Sequence, residues 1–135
     1  MVKQIFLNLP VRDLTVSMNF FKQLGFEFNS QFTDENAACL VFNETIFAML
    51  LTHNRFNDFV NREITDNSKT VSGINSFSVN SREEVDELLS KAIAAGGTSL
   101  YPTQDLGFMY CRNFLDPDGH HWEVFHMDMS AMPQQ

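Results

Sequence analysis

The sequence predicts an α+β fold in which one βαβββ unit occurs twice in tandem. Three observations predict it. Strand-like and helix-like runs follow in the same order in the two halves of the chain. Each half opens its helix with a capping residue and closes it with glycine. A polar stretch separates the halves, which is how an internal duplication presents itself. Module one spans residues 1–53, a linker 54–72 and module two 73–127, all within a single domain over 1–135.

In module one, residues 4–9 read as a strand and 14–24 as a helix. Asp13 is its expected N-cap and Gly25 its C′ residue, and Leu14, Met18 and Phe21 recur at helical spacing. Residues 26–32, 37–42 and 45–52 read as strands because Thr33-Asp34-Glu35-Asn36 and Asn43-Glu44 break them apart. In the linker, Phe56, Phe59 and Val60 predict one helical turn. Module two repeats the order. Residues 75–79 form a short strand, and Ser81-Arg82-Glu83-Glu84 is a capping box. Val85, Leu88, Leu89, Ala92 and Ile93 then mark a buried stripe that Gly96-Gly97 ends. Residues 98–101, 108–114 and 120–126 complete the set. The last strand follows Asp116-Pro117-Asp118-Gly119, a strong turn signal: Pro117 pre-sets φ, the Asp side chains cap amides, and Gly119 relieves the exit. Glu123 stands between Trp122 and Val124, so a carboxylate projects from mid-strand, where acids are rare.

A chain of 135 residues is long enough to bury roughly two-thirds of its unfolded surface. Fourteen Phe and seven Met make the core aromatic and soft, which also suits an apolar cavity. The net charge of −8 excludes nucleic acid and anionic membrane as partners, because both are bound by cationic surfaces. The longest apolar run, 46–51, falls far short of the ~20 residues a membrane helix needs. Met1-Val2-Lys3-Gln4 leads straight into a strand without the apolar stretch of a signal peptide. Cys39 and Cys111 lie in apolar strands and read as reduced thiols. The expected location is the cytoplasm.

Leu9-Pro10-Val11-Arg12-Asp13-Leu14, Phe20-Phe21 and Leu24-Gly25-Phe26 stand near the start. Asp116-Pro117-Asp118-Gly119 precedes Trp122-Glu123-Val124-Phe125 near the end. Together they resemble the vicinal oxygen chelate superfamily, which includes glyoxalase I, bleomycin-resistance proteins, fosfomycin-resistance enzymes and extradiol dioxygenases. The resemblance covers nearly the whole chain. It implies the glyoxalase/bleomycin-resistance/dioxygenase fold, in which the two modules' sheets curl into one cup that holds a ligand. It also implies a homodimer, and a divalent metal held by the first and last strands of each module.

Carried over onto this chain, the four metal positions fall at Phe6, Leu50, Ile74 and Glu123. Only Glu123 offers an oxygen donor, and a divalent ion needs three or four N or O ligands. A shift of one residue puts Met49 or Leu51 in place of Leu50, or Asn75 in place of Ile74, and restores no site. No cofactor is therefore expected, a divalent metal being the alternative if the ligands lie elsewhere.

Strand parity proposes what lines the cup. If Phe6 is inward, so is Asn8; if Ile74 is inward, so are Ser76 and Ser78. Ala48, Leu50 and Thr52 come from the fourth strand, and His121, Glu123 and Phe125 from the last. The seventh strand adds either Tyr110 and Arg112 or Met109 and Cys111, and an inward Arg112 would pair with Glu123 or with an anionic ligand. The expected ligand-binding set is thus Asn8, Leu50, Thr52, Ser76, Ser78, Arg112, His121 and Glu123, with Glu123 the candidate catalytic residue. Each has a plainer reading: Glu123 as a structural partner of Arg112, His121 as a solvated strand-end residue, Asn8 and the serines as small packing residues. Three functions stay open. One is a protein that binds a small apolar or aromatic ligand with the metal site largely lost. The second is a metal-dependent lyase or dioxygenase with ligands elsewhere, and the third a metal-independent enzyme using Glu123 as general base.

Overall fold

Local chemistry starts and stops the first helix where the sequence predicts. In the computed structural model, which describes residues 1–132, the Asp13 carboxylate accepts from the Val16 amide at 3.2 Å and opens α1 (Leu14–Gln23). Gly25, at φ 101°, provides the left-handed exit that L side chains resist. Leu14, Ser17, Phe20 and Phe21 form the buried stripe of α1 and pack it on its sheet. That sheet comprises β1 (Ile5–Val11), β2 (Glu27–Asn29), β3 (Ala37–Val41) and β4 (Ile46–Thr52), in the order β1-β4-β3-β2. β1 runs parallel to β4 and the remaining pairs are antiparallel. The strand expected over 26–32 stops early. Asn29 turns its side chain back to accept from the Gln31 amide at 3.0 Å, and residues Ser30–Phe32 become a 3-10 turn. The linker's helical turn, α2 (His53–Asn57), begins sooner than Phe56–Val60 suggested, because the Thr52 hydroxyl caps the Arg55 amide at 3.3 Å.

The second unit repeats this order: β5 (Ile74–Ser78), α3 (Arg82–Ala94), β6 (Gln104–Asp105), β7 (Met109–Leu115) and β8 (His121–Met127). Its sheet order is β5-β8-β7-β6, with β5 parallel to β8. Ser81 caps α3 by accepting from the Glu84 amide at 3.1 Å. Glu84 reaches back to the Asn80 amide at 2.7 Å, one residue beyond the reciprocal partner of a capping box. The strand expected over 98–101 is reduced to a single bridge between Thr98 and Leu115. The edge strand is instead the short β6, tied to α3 by a two-pronged Arg82–Asp105 ion pair at 2.7 and 2.8 Å.

Asp116 organises the turn into β8. Its buried carboxylate accepts from the amides of Asp118 at 2.9 Å and His120 at 3.0 Å, and from the Trp122 indole at 3.0 Å. The Trp122 ring, fully buried, lies parallel to Phe114 at 6.4 Å and tilted over Phe77 at 6.0 Å. The turn signal thereby becomes a core anchor. The chain separates into two compact units, Met1–Asp66 and Asn67–Gln135. Among the described residues no helix is long and apolar enough to cross a membrane.

Candidate functional site

Register decides which side chains share a face. In the second sheet, Ser76 and Asn113 both lie opposite Glu123, His121 lies opposite Ile74 and Leu115, and Cys111 opposite Phe125. These residues occupy one face. The other face carries Trp122, Val124 and Phe114, all fully buried beside α3. Arg112 belongs to that second face, opposite Val124, and donates to Asp86 of α3 at 3.0 Å. Asp86 also accepts from the Tyr110 hydroxyl at 2.7 Å. The Tyr110 bond, with help from Arg112, lowers the Asp86 pKa below the usual carboxylate range, and the same bond raises the Tyr110 pKa. Of the two parities left open for this strand, the structure takes the one that puts Cys111 on the face of Glu123, so Arg112 leaves the expected ligand-binding set. A long cation can bury its stem along the helix face while its head finds a carboxylate there.

The first sheet carries a second correction. Phe6 pairs with Phe47 and Asn8 with Met49, so these residues share a face with Cys39 and Leu51. The Phe6 and Phe47 rings stack at 4.7 Å. Leu50 and Thr52 point the opposite way. Leu50 is 0 % exposed, aligned with Leu9 and Ala38, and Thr52 is occupied as the cap of α2. Neither joins Phe6 and Asn8. Asn8 itself is exposed, its carboxamide donating to the Phe6 carbonyl at 3.2 Å.

On the uncovered face of the second sheet lies a groove of about 570 Å³, with walls that include Ile74, Tyr101, Cys111, Asn113, His121 and Glu123. Ser76, exposed, borders it across the strand from Glu123, and Ser78 lies two residues further along β5. The Tyr101 ring stacks on His121 at 5.4 Å with an interplanar angle of 8°. The Cys111 thiol donates to the Glu123 carboxylate; burial first, then that bond and the negative charge, push its pKa up to about 12. The thiol therefore stays protonated and acts as a hydrogen-bond donor. Asn113 is only 9 % exposed as a residue, yet its carboxamide lines the groove, and among the described residues no buried side-chain polar atom is left without a partner. Asn113 and Tyr101 are absent from the sequence-derived set, and Cys111 entered it only as the alternative to Arg112. A signal for Asn113 existed: counting outward equally from the Asp116–His120 turn places it opposite Glu123.

The bleomycin resistance protein-like N-terminal family matches residues 3–43. Comparison with curated proteins finds no match. Among solved structures, a hypothetical protein from S. aureus is 27 % identical with a TM-score of 0.78, over 93 % of this chain and 94 % of that one. A glyoxalase/bleomycin resistance protein/dioxygenase family enzyme from Burkholderia phytofirmans PsJN is 20 % identical with a TM-score of 0.74, over 90 % and 96 %. A glyoxalase-related enzyme from Fulvimarina pelagi is 22 % identical with a TM-score of 0.76, over 92 % and 88 %. The fold is that of the vicinal oxygen chelate superfamily. The match over 3–43 supports membership at that level.

The superfamily's metal chemistry can be tested against the donor set this chain presents. The paired registers make Met49 the counterpart of Glu123, since Asn8 faces Met49 as Ser76 faces Glu123. Met49 thus takes the place that parity had given to Leu50. The four positions then read Phe6, Met49, Ile74 and Glu123. One carboxylate, one thioether and two hydrocarbons do not fit a divalent cation of the Zn, Ni, Mn or Fe type. His121 is the nearest additional donor on β8, and its ring is turned onto Tyr101. Among the described residues no three His, Cys, Asp or Glu side chains come together as a metal group.

Proposed function

We propose that this vicinal oxygen chelate protein binds a small molecule against the uncovered face of its second sheet, in the groove beside Glu123, without a superfamily-type metal. One observation carries the reading. A carboxylate and a carboxamide stand side by side in a groove of ligand size, with an aromatic pair as wall. Both groups keep hydrogen-bonding capacity that faces the groove and that solvent, or a ligand displacing it, satisfies. Glu123→Gln nearly preserves shape and removes the charge. Because the Glu123 side chain is held by the Cys111 thiol rather than by a cation, that variant keeps its stability while ligand binding falls at least tenfold, or ~1.4 kcal/mol. Isothermal titration of a bound aromatic fragment, beside thermal unfolding, reads both. A variant that binds as tightly as the parent would remove Glu123 from the site. Elemental analysis of protein purified without chelator separates the metal-dependent alternative: one equivalent of metal, lost in Glu123→Gln, would overturn the metal-free reading. A general-base role for Glu123 rests on the same groove-facing carboxylate and requires turnover of the bound ligand, which the binding role does not.

A further inference from the structure

We infer that the ligand of this groove is a planar heteroaromatic ring whose edge sets N–H donors beside a carbonyl, the 2-amino-4-oxopyrimidine edge shared by pterin and guanine ring systems. The inference rests on the proposed binding role and adds the chemistry of what is bound.

Glu123 and Asn113 are direct cross-strand partners, so their heads stand roughly 5 Å apart at the Cβ atoms. An ionised carboxylate only accepts hydrogen bonds and has about four lone-pair positions. The Cys111 thiol engages one of them. No Lys or Arg stands in the wall of the groove, and Arg112 is committed to Asp86 on the opposite face. A ligand that displaces water from Glu123 must therefore bring donors to it. Asn113 adds a carboxamide with two N–H donors that opens onto the groove rather than onto protein partners.

Simpler ligands leave one of the two unsatisfied. A lone ammonium would serve Glu123 and strand the Asn113 donors. A carboxylate or diketone would serve Asn113 and set an acceptor against the Glu123 charge. Only an edge in which donors adjoin an acceptor answers both, and the side-by-side placement asks for a rigid edge rather than a flexible chain. The wall selects a ring. Tyr101 has one face on His121 yet remains 52 % exposed, which leaves aromatic surface for a second stacked ring. Ile74, Val71 and Pro102 add apolar flanks, and about 570 Å³ accommodates a bicycle.

The test compares pterin with lumazine, its isostere carrying oxygen in place of the 2-amino group, in mildly acidic buffer where both rings are neutral. Guanosine runs alongside to separate purine from pteridine. Amide chemical-shift mapping locates each compound and calorimetry gives its affinity. The expected result is that pterin or guanosine shifts Tyr101, Asn113 and Glu123, and that lumazine binds at least tenfold more weakly. Tyr101→Ala, at a half-exposed position where the fold is not at risk, weakens both pteridines. Glu123→Gln weakens pterin more than lumazine, which keeps the ring N–H but lacks the amino donor. Lumazine binding as well as pterin would overturn the donor–acceptor edge while leaving the groove as a binding site. So would a purely apolar ring such as naphthalene occupying the groove when pterin and guanosine do not. If none of these compounds shifts groove resonances, the edge and the binding role fall together.

Discussion

Asp116→Ala should be among the most destabilising single changes outside the aliphatic core, and its magnitude follows from three hydrogen bonds. The carboxylate accepts from the Trp122 indole and the His120 amide, both buried, and from the Asp118 amide nearer solvent. Removing it strands two buried donors at roughly 1–3 kcal/mol each. Part of that returns, because burial disfavours the native carboxylate: desolvation pushes the Asp116 pKa upward against the opposing pull of His120 and the donated bonds. The net loss expected is about 2–4 kcal/mol, or roughly 6–12 °C in Tm for a chain of this size. Urea and thermal unfolding followed by far-ultraviolet circular dichroism measure it. The Asp116→Ala/Trp122→Phe double-mutant cycle isolates the indole bond, with an expected coupling of about 1–2 kcal/mol. A single-mutant loss below about 1 kcal/mol, or a coupling near zero, would show that the carboxylate is a solvated turn residue and that the anchor does not exist.

Three further outcomes follow from the same coordinates. Gly119 and Gly107 share a left-handed backbone, at φ 82° and 83°, but only a Cβ at Gly119 would meet the Asn67 carbonyl, at 2.9 Å. Gly119→Ala should therefore cost at least ~1 kcal/mol more than Gly107→Ala by urea unfolding, and equal losses would sink the close approach to Asn67. Asp105, held by the Arg82 hydrogen bonds and the Gly107 amide, has its pKa lowered from 3.8 to about 2. Since the folded value lies below the ordinary one, its contribution to stability is present above pH 3.8 and lost as pH falls toward 2. Carbon-detected titration should give that midpoint and return it toward 3.8 in Arg82→Ala; an unmoved midpoint would refute the cause. Cys111, with its thiol pKa near 12, should alkylate at mildly alkaline pH at least ~10³-fold more slowly than an ordinary thiol, and labelling at the free-cysteine rate would contradict its place beside Glu123.

The parts of this molecule that were legible in the sequence are those whose chemistry is local. Asp13 and Ser81 cap the amides three residues on, Gly25 and Gly96 take the left-handed exits, and the Asp116–Gly119 turn closes on its own side chain. Each needs only its neighbours to decide. Register between strands distant in sequence does not have that property. Ile46-Phe47-Ala48-Met49-Leu50-Leu51 is apolar without alternation, so nothing in it says which parity faces the covered side. Its parallel pairing with β1 passes through no tight turn from which a count could start. Parity alone therefore puts Leu50 and Thr52 on the face that Phe47, Met49 and Leu51 in fact occupy. The β7–β8 hairpin does have such a turn, and counting from it would have excluded Arg112 and found Asn113.

The two units resemble one another in backbone and differ where it matters chemically. At matched positions, Met49 and Cys39 in the first sheet correspond to Glu123 and Asn113 in the second. An apolar pair in one copy and a carboxylate–carboxamide pair in the other cannot make the same demands of a ligand. An apolar face such as the first offers only hydrophobic contact, which is non-directional and tolerant of shape. The second imposes direction, because an unmet donor or acceptor there costs more than a methyl group gained elsewhere returns. Selectivity of the groove beside Glu123 should therefore rest on its polar pair. Substitutions at the apolar wall residues Ile74 or Val71 should alter affinity for the groove without changing which ligand is preferred, whereas substitutions at Glu123 or Asn113 should reorder the preference itself.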